Sequence, residues 1–352
     1  MRKKRSVRSR ILLALVNLLS VGALIWALRD AHLGELRDDV LTMDWRWVAA
    51  AVAGDLCVYL MHGSRWRVLL RPVVRLGYWE TVRSIYVGLF ANEIIPLRAG
   101  ELVRCYMLAQ RPELPLSVSL TSALIERVFD GIWLSVLLLV TLRFVPLPRS
   151  LHYVTDGAYV LGATVIIVAG ALSFALFRRH QVRTSPPKTA FQRQMRVLVD
   201  DLEIIGHSRS LWASFLQSLP YLLLQVIPIY AVMMGYDFDK SRAANGFAPT
   251  FVMALALMVI LRLGSILPQA PGNIGIFQFL TRETLVKVFH AVPAEAGRFS
   301  LLLWGIVTLP LLIGGAVALT FAESSLGEIH ESAQNERAAL SNQHQNKGAD
   351  GS

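Results

Sequence analysis

The chain has 352 residues, of which 54% are hydrophobic and 17% charged, whereas soluble domains carry roughly 25% charge. That balance excludes an ordinary water-soluble fold, which would have no polar surface to show, and points to the bilayer as solvent. The net charge of +10 falls in short blocks between apolar runs, which is the positive-inside pattern and not a nucleic-acid footprint, so no nucleic-acid partner is expected.

Residues 1–10 carry Arg2, Lys3, Lys4, Arg5, Arg8 and Arg10 with no acid. Ile11 to Leu28 follows, long enough to span, and reads as a retained anchor behind a cytoplasmic N-terminus. Leu33, Leu36, Val40 and Trp47 recur at helical spacing and suggest an interfacial amphipathic helix, with Trp45 and Trp47 suited to the aromatic belt. A second span covers about Trp47 to Met61. Asp55 sits inside it, facing either a pore or a helix contact. Arg65, Arg67, Arg71 and Arg75 then read as a cytoplasmic loop.

Val82 to Gln110 is apolar but broken at Pro96 and Gly100, and Leu116 to Val140 is a further span with charges in its first half. A short external loop precedes a span at Tyr159 to Phe177. Residues 178–209 form a basic internal loop, in which Phe191, Met195, Leu198, Leu202 and Ile205 make an apolar stripe at 4, 3, 4, 3 spacing. Such a stripe suits either a helix on the cytoplasmic leaflet or a solvated linker helix. Leu211 to Met234 spans outward. Phe251 to Ile266 is apolar and then broken at Pro268, Pro271 and Gly272, and Phe299 to Phe321 is the last span. Residues 323–352 lack an apolar period and read as a disordered tail. The expected fold is an all-α polytopic integral membrane protein of about seven or eight transmembrane helices. Its single membrane domain runs over 11–322. The two broken segments either span or re-enter.

These breaks resemble each other. Ile95-Pro96-Leu97-Arg98-Ala99-Gly100 and Leu267-Pro268-Gln269-Ala270-Pro271-Gly272 both read aliphatic, Pro, three residues, Gly, one in each half of the chain. Pro removes an amide donor and Gly relaxes the backbone, so each should interrupt a helix. Broken backbone at membrane depth is tolerated only inside protein or beside a water-filled cavity, and paired breaks point to a transporter site. Short helices starting near Gly100 and Gly272 would aim positive N-termini at a shared cavity suited to phosphate or carboxylate.

Charges inside the spans form two clusters: Arg98, Glu101 and Arg104, and Glu126, Arg127 and Asp130. Glu126 and Asp130 are i, i+4 neighbours on one helix face. Each such charge costs roughly 2.5–3.5 kcal/mol at the centre of a span, so the groups must pair or face water. Three Arg against three acids sum to zero. The cluster is either an ion-pair staple between helices or a polar cavity whose Arg side chains hold a charged lipid head group. Asn92 and Glu93 could line the same cavity. The two cysteines form no CxxC and the eight histidines have no ligand spacing, so neither a metal site nor a cofactor is expected.

The run Asn92-Glu93-Ile94-Ile95-Pro96-Leu97-Arg98-Ala99-Gly100-Glu101-Leu102-Val103-Arg104 resembles the signature of the lysylphosphatidylglycerol synthase transmembrane-domain family. Glu126-Arg127-Val128-Phe129-Asp130 is similar to that family's E-R-x-x-D. Pro268-Gln269-Ala270-Pro271-Gly272-Asn273-Ile274-Gly275 is similar to its P-x-x-P-G-G-x-G. Asn273 stands where the family usually has Gly, and Gln278 where a Glu commonly follows.

The resemblance implies a flippase-like protein of the inner, cytoplasmic membrane that moves a charged or modified lipid head group between leaflets. Its head-group site would draw on Asn92, Glu93, Pro96, Arg98, Gly100, Glu101, Arg104, Glu126, Arg127, Asp130, Pro268, Pro271, Gly272 and Gly275. Partners implied are an anionic or zwitterionic membrane lipid, with a lipid-modifying enzyme or a second copy as further candidates. The chain ends about thirty residues after its last span. The soluble aminoacyl-transfer domain of the synthases is therefore not expected, nor is lysyl transfer. The alternatives are a membrane glycosyl- or acyl-transferase, for which Asp237-Phe238-Asp239 offers a weak DxD pattern, and a non-catalytic scaffold for a lipid-modifying enzyme.

Overall fold

The computed structural model describes residues 7–94, 100–111, 113–145, 162–164, 167, 170, 197, 200–205, 209–236, 238, 249–265 and 270–349, which are helices and short turns with no strand. Within these ranges, side chains are described from Leu15 to Phe321. Pro96, Arg98, Pro268, Asp237, Asp239, and most of the Tyr159–Phe177 span and of the basic loop lie outside the described residues.

Helix α1 covers Val7–Leu28, and α2, Leu36–Thr42, follows a single 3-10 turn at Leu33–Glu35. Helix α3 runs over Trp45–Leu70, opened by Asp44, whose side chain accepts from the Arg46 amide at 3.0 Å. Next come α4, Tyr78–Ile94, α5, Gly100–Leu108, and α6, Leu116–Phe144. Helices α7, Arg209–Leu224, and α8, Val226–Gly235, are parted at Gln225. Pro228 explains the interruption, because it has no amide to donate to the carbonyl four residues back. Helix α9 is Phe251–Gly264, capped by Thr250, whose hydroxyl accepts from the Met253 amide at 3.2 Å. Helix α10 is Ile276–Lys287, and α11 is Pro293–Ala349. The α11 backbone stays helical through the polar stretch after Phe321, where Ala, Glu, Gln and Arg all favour helix.

Helix α3 is the hub. It packs against α4, α6, α7, α8 and α11. One apolar cluster joins Val48, Ala51 and Val58 of α3 to Val226, Val232 and Met233 of α8 and to Leu257 and Phe299 of α9 and α11. A second gathers Trp66, Leu69 and Leu70 of α3 with Ile85, Cys105, Leu108 and Ile125. Large apolar side chains also cover the outside: Leu18 is 70% exposed, Ile313 66% and Leu216 63%. A water-soluble surface would not carry such a belt.

Two stretches, Arg209–Gly235 and Pro293–Phe321, are both long and apolar enough to cross a membrane. Helices α3 and α6, of 26 and 29 residues, have the length but carry internal charges.

Several expectations change. The helix that carries the second span does not end near Met61, because α3 continues to Leu70 and takes in Arg65 and Arg67. Arg65 therefore leaves the expected cytoplasmic loop and is 1% exposed. The helix stops ahead of Pro72, which disfavours helix in the preceding residue. The end of the apolar stripe in the basic loop lies neither on a leaflet nor in solvent, since Leu202 and Ile205 are buried in the cluster around Trp66. Asp201 beside them accepts from the Thr121 hydroxyl of α6 at 3.1 Å. Phe191, Met195 and Leu198 of that stripe lie outside the described residues.

The first break lies between α4 and α5, which fold back on each other. Arg111, past the end of α5, pairs with Glu80 in the first turn of α4, so the two helices form a hairpin. Gly88 and Gly100 allow the close approach: a Cβ on Gly100 would run into the Gly88 carbonyl oxygen and Asn92. The second break lies between α9 and α10. Here Pro271–Asn273 is a 3-10 turn, with Gly272 at φ 76° and Asn273 at φ 54°. Gly275 has φ 94°, and a Cβ there would strike the Ser20 carbonyl of α1.

Candidate functional site

Glu126 and Asp130, one turn apart on α6, face α3 together. Arg65 bridges them. Its Nε donates to Glu126 Oε1 at 3.1 Å, its Nη1 pairs with Asp130 Oδ1, and its Nη2 reaches Asp130 Oδ2 at 3.3 Å. Nη1 also reaches the Ser218 hydroxyl of α7 at 3.0 Å, and the guanidinium lies over the Tyr221 ring at 4.4 Å. The second oxygen of Glu126 accepts from Arg104 Nη2 of α5 at 3.0 Å, and Arg104 stacks over Trp66 at 4.5 Å. Arg65, Arg104 and Glu126 are 1%, 4% and 1% exposed, so water screens them little.

His62 sits one turn before Arg65. Its Nε2 is 3.3 Å from Arg104 Nη1, and its Nδ1 is 3.5 Å from the Tyr221 hydroxyl. A guanidinium only donates, so the Arg104 contact uses Nε2 as an acceptor, and the same Nε2 lies 3.8 Å from Glu126 Oε2.

Arg127 points away from Glu126 and pairs with Glu101 of α5, Nε donating to Oε2 at 3.0 Å. The two side chains are 48% and 32% exposed. Arg262 of α9 has different company. Its Nε donates to Gln225 Oε1 at 2.5 Å and its Nη2 to the Tyr221 hydroxyl at 3.0 Å. Both partners are neutral, and no carboxylate lies within ion-pair distance of Arg262 among the described residues.

The breaks meet at this site. Asn273 Nδ2 of the second donates to Glu93 Oε1, just before the first, at 3.0 Å. Gly272 O accepts from Trp304 Nε1 of α11 at 2.7 Å. The expected display of free amides at the two helix starts is not what forms. The Gly100 amide is closed by Asn92 Oδ1 at 2.8 Å and the Gly275 amide by Gln278 Oε1 at 2.7 Å. Both departures from the family pattern thus have a local use, Asn273 holding Glu93 and Gln278 capping α10.

A cavity of about 240 Å3 opens between these elements. Of the residues expected at a site, Asn92, Glu93, Arg104, Glu126, Arg127 and Asp130 line it. Glu101 reaches it only through Arg127, and Gly100, Pro271, Gly272 and Gly275 shape the hairpin tips. Pro96, Arg98 and Pro268 lie outside the described residues.

The cavity also takes Asp55, Tyr59, His62, Arg65, Tyr221, Gln225 and Arg262, none of them among the expected site residues. A signal existed for most. Asp55, Tyr59, His62 and Arg65 continue one polar stripe at 4, 3, 3 spacing past the apolar part of α3. Arg262 is a lone charge in an otherwise apolar run, which by itself marks function in a span.

Residues 11–315 match the family described as Lysylphosphatidylglycerol synthase TM region. This chain belongs to that family. It is accordingly a membrane protein with transmembrane helices. The match runs from α1 to within α11 and contains every residue of the cavity. The chain is also 23% identical over 327 residues to a protein of Haloferax volcanii named Glycosyltransferase AglD, covering 81% of this chain and 51% of that one. It spans about half the length of that relative. The chain is thus similar to about half of a longer protein whose name is that of a sugar transferase.

Proposed function

We propose that the chain carries a lipid with a phosphate-bearing head group between leaflets, the head group passing through the cavity while the acyl chains stay in the bilayer. Arg262 carries this reading. Its guanidinium borders the cavity and donates only to neutral Gln225 and Tyr221, so a charge in a poorly screened place lacks a counter-ion that a phosphate would supply. The other three cavity guanidiniums already have carboxylate partners. The volume, about 240 Å3, is below the roughly 300–1,000 Å3 of drug-sized pockets and suits a head group without its tails.

The proposal includes an architecture. Six crossings (α1, α3, α6, the 159–177 segment, α7 with α8, and α11) enclose two hairpins that enter from opposite faces and touch at Glu93 and Asn273. With the basic N-terminus in the cytoplasm, the α3–α4 turn carrying Arg71 and Arg75 is cytoplasmic too. The membrane is then the inner, cytoplasmic one.

The test uses proteoliposomes containing fluorescent phosphatidylglycerol and a membrane-impermeant quencher. Losing one charged hydrogen-bond donor removes about 1.5–3 kcal/mol, so Arg262→Gln should slow translocation roughly ten- to hundredfold. Wild-type rates in a folded Arg262→Gln protein would refute the assignment.

A second reading follows from the relative's name, in which this membrane region takes part in sugar transfer to a lipid. Label passing from a nucleotide sugar to lipid with the purified chain alone would decide for it.

A further inference from the structure

Asp55 is an acid of the cavity with a stranded carboxylate oxygen. It is 8% exposed, lines the cavity, and its Oδ2 is buried with no hydrogen-bond partner among the described residues. Glu126 and Asp130 are closed by Arg65, and Glu93 accepts from Asn273. An ionised carboxylate held out of water without a partner costs several kcal/mol, and it is relieved by a proton or by a cationic ligand.

The charged and titratable groups around it narrow the choice. On α3 the Tyr59 hydroxyl interacts with the Asp55 carboxyl, leaving Oδ2 unsatisfied, and Cys57 lies two residues along. Helix α4 presents Tyr86 and Glu93, α7 presents Tyr221, and α9 presents Arg262, which acts on Asp55 through the electric field without touching it. Arg104 of α5 and Glu126, Arg127 and Asp130 of α6 line the far side with His62, already tied to one another or to Glu101. The walls from α8 and α11 (Pro228, Ile229, Thr308, Leu311) have no titratable group.

Asp55 and the uncompensated Arg262 therefore share one cavity. While Asp55 is ionised, it offsets the field that Arg262 would present to an anion. Once Asp55 Oδ2 has taken a proton, forming a neutral carboxyl, that field is free for a phosphate. Proton and phosphate monoanion together add no net charge to the site, which lowers the cost of carrying them through a low-dielectric path. We infer that Asp55 is a proton-binding group that couples the uptake of the lipid phosphate at Arg262 to a proton, taken up from one side and released to the other. This rests on the phosphate reading of Arg262.

The experiment uses the full chain in detergent with short-chain phosphatidylglycerol as the probe, titrated from about pH 8 to about pH 5, with infrared difference spectra recorded in parallel without probe. One linked proton tightens binding up to about tenfold per pH unit as pH falls. The wild type should show that slope and a protonated-carboxyl band on acidification. Asp55→Asn, a fixed neutral mimic, should bind tightly at every pH, with neither slope nor band. Asp38→Asn, at an exposed acid outside the cavity, should keep both.

A slope that survives in Asp55→Asn, or a wild type with no Asp55-dependent carboxyl band at any pH, overturns the proposal. If the probe fails to bind wild type at any pH, the phosphate reading of Arg262 fails, and the coupling proposed here falls with it. The band then decides separately whether Asp55 takes a proton. If the band is missing and Asp55→Asn weakens only amine-bearing lipids, Asp55 is a cation contact.

Discussion

Replacing Glu126 by Gln should be the most damaging single change in the charged cluster, although Glu101 also stands in a family motif. Glu126 is 1% exposed and neutralises two buried guanidiniums, Arg65 at 3.1 Å and Arg104 at 3.0 Å. The amide keeps the shape and one acceptor oxygen but removes the charge. Asp130 still faces Arg65, while Arg104 keeps only His62 and the Trp66 face. Breaking a buried pair by removing one partner costs about 3–5 kcal/mol. Glu101→Gln breaks a pair whose side chains are 48% and 32% exposed, for which solvent screening leaves about 0–1 kcal/mol. Thermal unfolding in detergent, read by loss of the monodisperse peak, should show Glu126→Gln lower by roughly 5–10 °C and Glu101→Gln lower by no more than about 2 °C. Adding Arg104→Met to Glu126→Gln should recover at least about 1 kcal/mol, because the stranded charge leaves with its partner. Equal melting temperatures for the two single variants, or no recovery in the double, would refute this account.

Gly100→Ala should cost about 2–3 kcal/mol in the same assay by forcing α4 and α5 apart, whereas Gly305→Ala, with open space at its Cβ, should gain about 0.5–1 kcal/mol. Asn273→Gly keeps the left-handed backbone and loses only the bond to Glu93, so it should cost roughly 1 kcal/mol, and Asn273→Ala roughly 2. Melting curves that reverse this order would show that φ 54° is not what matters at this position. In a Cys57→Ser background, Arg71→Cys should react with an impermeant maleimide in inside-out vesicles and not in right-side-out ones. The reverse labelling would invert the proposed orientation.

What could be read from the sequence was local. Glu126 and Asp130 are four residues apart, and their shared face is a property of any helix. Gly100 and Gly272 announce breaks because only backbone chemistry is involved. The partners among the described charges are set by the fold. Arg65, 61 residues from Glu126, bridges Glu126 and Asp130, while Arg127 pairs with Glu101. The error at Arg65 has a physical source. A rule that places Arg in the cytoplasm weighs charges by sequence neighbourhood, and burial of a guanidinium depends on an acid brought by another helix. Tyr221 gives even less signal, since a single polar residue in a span carries no period, and its role appears only once α7 lies against α3.

The cavity holds two kinds of charge, and they divide its labour. Arg65, Arg104, Glu126 and Asp130 use up their valence on one another across α3, α5 and α6, and breaking any of these contacts strands a buried ion. Such a set stiffens the helices it joins and has little left for a ligand. Arg262 and Asp55 are the reverse: one cation with neutral partners, and one carboxyl with an oxygen for which no partner is found. Charge left open inside a membrane costs stability. Selection for folding alone would have paired these two groups or replaced them with apolar side chains. Variants should therefore separate by effect. Changes at Glu126 should move the melting temperature most, whereas changes at Arg262 and Asp55 should leave folding intact, or improve it, while removing function.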